Sequence, residues 1–191
     1  MTGRTHDLAA FTLLNLVFVS TPIPHISIAT AVVSFMAASI GGLLPDVDQP
    51  TADLYRRLPA GNIIGRMISP IMGSHRMISH SFLGVFLFGW LLDKLLIALS
   101  TTILIDMRIV WYSMMIGFVS HLIVDFITYE GCPLLFPFPW KFGFPPFARM
   151  RVKTGGFIEK TLIYPGLLLL NGFLVYEYRE IYLAFFRQYI H

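Results

Sequence analysis

A chain of 191 residues has room for one domain. With 55% hydrophobic residues, 13% charged residues and a mean hydropathy of +0.69, it lacks the polar supply of a water-facing surface, since soluble domains carry roughly a quarter charged residues. The net charge of +3, with no basic run interleaved with aromatics, argues against a nucleic-acid partner. The single cysteine, Cys132, excludes an intrachain disulfide and a Cys-rich zinc site.

Five apolar segments suit bilayer helices, at about 8–23, 27–45, 80–100, 109–128 and 161–178, a span needing roughly 20 apolar residues. The first is short and is expected to be tilted or partly inserted. It is read as a retained helix and not a signal peptide: His6 and Asp7 precede it, and no small-x-small cleavage site comes before Pro22 and Pro24. Those prolines separate the first two helices, and Pro45 closes the second just before Asp46 and Asp48.

Residues 49–79 form a polar connection bearing Arg56, Arg57 and Arg66, with Asn62 to Ile71 apolar enough for a short interfacial helix. Residues 129–160 form a second long connection, rich in Pro, Phe and Gly, expected to pack on the membrane face as an aromatic lid. Cys132 falls there as a small residue in a turn. The expected fold is all-α: one membrane-embedded domain over residues 1–191, a helical bundle of about five membrane helices, in contact with bilayer lipid.

Against this apolar background stand His6, Leu44-Pro45-Asp46-Val47-Asp48, His75-Arg76-Met77-Ile78-Ser79-His80 and His121-Leu122-Ile123-Val124-Asp125. Ionisable groups in such segments are costly and are usually paired, metal-bound or functional. Imidazole with carboxylate is the ligand set of a catalytic zinc-type or manganese-type site. His121 and Asp125, four apart, share a helix face and can hold one ion or bridge two. Asp46 and Asp48, on a non-helical turn, can serve as ligands or divide into ligand and general base. His75 and His80 bracket the start of the third helix, and Arg76 suits a bidentate grip on phosphate.

Ser79 and Ser81 are expected to cap or pack, and Gly117 and Ser120 to allow close helix packing. Glu159 opens the last helix after a Gly-rich stretch, where the macrodipole favours a carboxylate and a ligand role is also open.

Counting helices brings these clusters together. If the chain starts on one side, A, then Asp46 and Asp48 return to A, His75 and His80 leave from it, and His121 and Asp125 come back to it. Side A then carries Arg4, Arg56, Arg57, Arg66, Arg76, Lys141, Arg149, Arg151, Lys153 and Lys160, against Lys94, Arg108, Arg179 and Arg187 on side B. That excess assigns A to the cytoplasm. His25 and His191 fall on B and are read as surface residues.

In order and spacing, His6, the Leu43–Asp48 turn, His75-Arg76 with His80-Ser81, and Gly117 with His121 and Asp125 resemble the motif series of the YdjM-type membrane-bound metal-dependent hydrolases. That series is a near-N-terminal His, an LPDxD turn, an HRxxTHS helix start and an HxxxD helix, followed by a Gly-rich segment and Glu. The resemblance covers roughly residues 1–165, with Ser79 in place of the more usual Thr. A more distant likeness runs to the zinc-dependent phospholipase C and P1 nuclease group.

What the family resemblance implies is a hydrolase of the inner membrane. His6, Asp46, Asp48, His75, His80, His121, Asp125 and Glu159 are its candidate ligands for one to three divalent ions, zinc or alternatively manganese. Asp46 or Asp48 would act as base, and Arg76 would stabilise charge on a phosphoester or ester of a lipid or lipid-linked substrate. The rival is a divalent-metal transporter or membrane metal sensor using the same ligands. Such a site belongs near the bilayer midplane with access from both faces, and here the clusters lie at helix ends on one face.

Overall fold

The structure, a computed structural model, describes residues 1–21, 26–49, 51–57, 61–72, 78–101 and 103–189, with backbone alone for Asn62 and residues 68–72. His25, His75, Arg76 and His191 lie outside the described residues. The molecule is all-helical, without a β-strand among the described residues. Its helices are α1 (Gly3–Ser20), α2 (Ile28–Leu43), α3 (Asp53–Arg56), α4 (Gly61–Met72), α5 (Phe82–Ser100), α6 (Met107–Phe126), α7 (Tyr164–Glu177) and α8 (Arg179–Arg187). A 3-10 turn, Leu44–Asp48, extends α2, and a π turn, Glu159–Ile163, leads into α7.

Local chemistry sets the helix starts. Ser27 accepts from the Thr30 N–H at 3.0 Å, Ser81 from Gly84 N–H at 3.1 Å, and Asp106 from Arg108 and Ile109 N–H at 3.0 and 3.2 Å. Each satisfies amides that the first turn leaves without a partner. Ser81 thus caps as expected.

Among the described residues, three helices are long and apolar enough to cross a membrane: Ile28–Asp48, Phe82–Ser100 and Met107–Phe126. Of the five segments expected, these are the second, third and fourth. The first differs because the helix begins at Gly3, so Arg4, His6 and Asp7 lie inside it and lower its apolarity. The fifth segment holds α7, of 14 residues, a length of about 21 Å at 1.5 Å per residue.

On α5, Phe86, Trp90, Leu91 and Leu95 are all more than half exposed. A patch of this kind is a liability in water and an ordinary wall in lipid.

The core lies between α2, α5 and α6, where Ala37, Leu92, Leu96 and Val110 are buried with Phe88, Trp111 and Met114 packed against them. The α2 and α6 backbones approach closely through glycine. A Cβ on Gly117 would overlap the Ala38 carbonyl oxygen, and one on Gly41 would overlap that of Met114. Gly117 therefore does the close packing that its sequence context predicts. Helix α1 packs on α2, α6 and α7, and Asn171 links α7 to it, donating to Thr12 Oγ1 at 2.6 Å and accepting from Asn15 at 2.7 Å.

The two long connections sit at the end of the bundle where α6 finishes. The first holds α3 and the amphipathic α4, which covers the stretch expected to be interfacial. Arg57 there pairs with Asp7 of α1. The second is irregular and pinned by backbone bonds: Cys132 and Phe142 exchange N–H···O bonds at 2.8 and 2.9 Å, and Val152 N–H donates to Ile127 O at 3.0 Å. Cys132 is buried in its turn. Phe138, Trp140, Phe144 and Phe147 remain exposed.

Candidate metal centre

Four elements deliver the buried polar groups to one end of the bundle. The first turns of α1 bring His6, the 3-10 turn after α2 brings Asp46 and Asp48, the residues before α5 bring Ser79 and His80, and the last turns of α6 bring His121 and Asp125. His6, His80, His121 and Asp125 have no solvent exposure. The Asp46 side chain keeps 22%, so the site opens along Asp46.

The ligand atoms are close together. His121 Nε2 lies 3.2 Å from His80 Nε2, and that pair forms the shared edge of two triangles. Asp46 Oδ1 closes one, at 3.7 Å from His80 and 3.6 Å from His121. Asp125 Oδ2 closes the other, at 3.6 and 3.7 Å. Ligands held 2.0–2.2 Å from a tetrahedral ion stand about 3.3–3.6 Å apart, so each triangle has the size of one face of such a polyhedron. His6 joins the group through its ring, stacked on His121 with centroids 3.7 Å apart, and through Nε2, 3.4 Å from Asp125 Oδ1. Two triads can therefore hold a metal ion: His6, Asp46 and His121, and His80, His121 and Asp125.

Hydrogen bonds behind the rings decide which nitrogen faces the centre. His121 Nδ1 is 2.7 Å from the Gly42 carbonyl oxygen, which only accepts, so Nδ1 carries the hydrogen. Ser79 donates its hydroxyl to Asp48 Oδ2 at 2.8 Å, leaving its oxygen to accept from His80 Nδ1 at 2.9 Å. In both neutral rings Nε2 then carries no hydrogen and presents its lone pair to the centre. Two lone pairs facing each other at 3.2 Å repel unless a cation lies between them, and neutral rings oriented from behind by a carbonyl and a hydroxyl–carboxylate relay are the ordinary support of metal-ligating histidines.

Burial pulls the His80 imidazole below its ordinary value against the opposing pull of Asp125, which favours the neutral ring that ligation needs. His6 Nδ1 is buried without a hydrogen-bond partner among the described residues.

Two expected ligands are in neither triad found among the described residues. Asp48, 5% exposed, accepts from Ser79 beside His80. Glu159 accepts from Thr2 N–H at 2.8 Å, Thr2 Oγ1 and Thr5 Oγ1 at 2.7 Å, and Gly155 N–H at 2.6 Å. Burial pushes its carboxyl up, but these four donors outweigh it and hold the carboxyl below the ordinary glutamate value. It thus ties the Gly-rich segment to the first turn of α1, one residue from His6. His75 and Arg76 lie outside the described residues.

Ser79, expected to cap or pack, is instead the link between Asp48 and His80. Its place beside a histidine was the only signal in the sequence. Thr2 and Thr5 flank His6 in the same way, and nothing in their local pattern pointed to Glu159 across more than 150 residues.

Comparison with known proteins identifies the family. The chain is 30% identical over 181 residues to the uncharacterized protein YvsG of Bacillus subtilis (strain 168), covering 92% of this chain and 95% of that one. It is 34% identical over 110 residues to the inner membrane protein YdjM of Escherichia coli (strain K12), covering 54% of this chain and 48% of that protein, and matches the same protein of Shigella flexneri equally. No solved structure matches. The description "YdjM inner membrane protein" matches residues 1–184, and with the helical bundle and its buried His/Asp cluster this places the chain in the YdjM family of inner membrane proteins.

Proposed function

We propose that the chain is a metal-dependent hydrolase of the inner membrane, its centre facing the cytoplasm, acting on a phosphoester or ester of a lipid or lipid-linked substrate. The observation that carries the reading is the convergence of the His80 and His121 Nε2 atoms, 3.2 Å apart and each within 3.7 Å of Asp46 and Asp125. His80, His121 and Asp125 would hold a divalent ion there, zinc by the donor set, which would supply Lewis acidity and a more acidic bound water.

The residues divide the remaining work. His80, His121, Asp125 and His6 are sealed from solvent and hold. Asp46, the carboxylate with solvent access, takes the proton from the attacking water. Asp48 orients His80 through Ser79. The exposed aromatics of residues 129–160 and the apolar α5 face favour a substrate arriving from the bilayer. The distant likeness to phospholipase C and P1 nuclease favours the phosphoester. Catalysis is preferred over transport because the ligands gather at one end of the helices, whereas a carrier places its site near the midplane.

The test uses protein purified in detergent. Metal content is measured by plasma mass spectrometry and phospholipid hydrolysis by product release, for wild type and His121→Ala. Loss of both in the variant is expected. A variant keeping metal and activity refutes the assignment, and metal uptake into proteoliposomes without hydrolysis favours the transporter.

A further inference from the structure

At the opposite end of the bundle lies a cavity of about 550 Å³, walled by the second half of α1, the first half of α2, the first half of α6 and one face of α8. It is within the size range of small-molecule sites. Along α6 its wall ends at Ile116, five residues before His121, or about 7.5 Å of helix, so it is separate from the metal centre.

Among the described residues the wall carries no charged side chain. Several of its polar groups are satisfied internally: Ser113 donates to Ile109 O at 2.9 Å, and Asn15 to Asn171 at 2.7 Å. The hydroxyls of Ser34, 6% exposed, and Tyr182 are buried without a hydrogen-bond partner among the described residues, and both residues line the cavity. A buried hydroxyl with no partner is rare and calls for an acceptor.

The occupant follows from these features and from α8. That helix is amphipathic, with Arg179, Glu180 and Arg187 in its sequence and Tyr182, Phe185 and Phe186 on the cavity wall. Such a helix lies in the interfacial plane with its apolar face toward the acyl region. Tyr182 packs on Phe18 of α1, ring centroids 5.4 Å apart, closing that end. An uncharged apolar chamber that begins at the interface, with two hydroxyl donors awaiting acceptors, matches the part of a lipid where ester carbonyls meet hydrocarbon.

We infer that the chamber between α1, α2, α6 and α8 binds an ester-linked bilayer lipid, one acyl chain filling it and the Ser34 and Tyr182 hydroxyls donating to ester oxygens. The inference rests on the membrane location and not on hydrolysis.

The experiment reconstitutes the full chain in phosphatidylcholine vesicles containing a phosphatidylcholine with a diazirine-bearing acyl chain, and maps adducts by peptide mass spectrometry. Adducts are expected to concentrate on the wall, at Phe18, Ile116 and Tyr182, over Phe86 and Leu91 on the exposed face of α5. Ala31→Trp, which intrudes on the chamber, is expected to cut wall adducts by about fivefold or more, the effect of displacing one or two buried methylenes, and to leave α5 adducts unchanged. Diester phosphatidylcholine should compete for the wall better than its diether analogue. The milder Ser34→Ala/Tyr182→Phe variant should lose that preference. Equal labelling of the wall and α5, a pattern unmoved by Ala31→Trp, or equal ester and ether competition against the wild type overturns the inference.

Discussion

Replacing Ser79 by alanine isolates the relay behind His80 without touching a ligand. The hydroxyl is buried, holds bonds of 2.8 Å to Asp48 and 2.9 Å to His80, and is the acceptor seen for the His80 Nδ1 hydrogen. Its loss removes two bonds, one to a carboxylate, each worth about 1 kcal/mol or somewhat more. The sum, about 2–3 kcal/mol, falls on the orientation and basicity of His80. Losing a support of this kind typically weakens metal binding by about 10–100-fold. That is about 1.4–2.8 kcal/mol at 1.4 kcal/mol per tenfold, so the two routes agree.

The assay is zinc affinity by chelator competition in detergent, for wild type, Ser79→Ala and Ser79→Thr. Threonine keeps the hydroxyl and should bind near the wild-type level, whereas alanine should fall by at least tenfold with the helical content of the protein unchanged. Alanine binding within about threefold of wild type, well short of the lower bound for such a support, refutes the relay.

Gly117→Ala should destabilise the fold by about 1–3 kcal/mol, the usual cost of overpacking, because the new Cβ meets the Ala38 carbonyl and forces α2 from α6. An unchanged thermal midpoint in detergent would contradict that contact. Glu159→Gln should lower both stability and metal affinity, since an amide cannot accept all four of the donors that Glu159 holds. The pH dependence has a definite sign. A carboxyl held below its ordinary value of 4.5 contributes stability that is complete above that pH and is lost as pH falls through the folded value. The gap between wild type and Glu159→Gln, measured by denaturation with chelator present, should therefore be widest above about pH 4.5 and narrow in more acid solution; a constant gap refutes the charge assignment.

The amino-acid sequence alone determined the environment, the helix type and the end of the bundle where the site forms. A hydrophobic excess this large fixes the solvent as lipid, and lipid demands backbone satisfied within helices. Once helices alternate in direction, parity alone sends His6, Asp46, His80, His121 and Asp125 to one end. The sequence reading started the first helix at its apolar run. The folded helix starts earlier, because Thr5 and His6 find buried partners in Glu159, Asp125 and His121 that no local pattern reveals.

Tertiary packing decided the rest. Parity gives the height of a residue along the bundle but not its direction around the helix axis, and direction separates neighbours such as Asp46 and Asp48. Only the close approach of α2 to α6, permitted by Gly41 and Gly117, puts the Gly42 carbonyl behind His121 and turns Nε2 inward. The Ser79 relay, the Glu159 cradle and the chamber at the far end likewise depend on how helices distant in sequence rotate against one another. Composition and spacing do not encode that rotation; it is set by which side chains interlock.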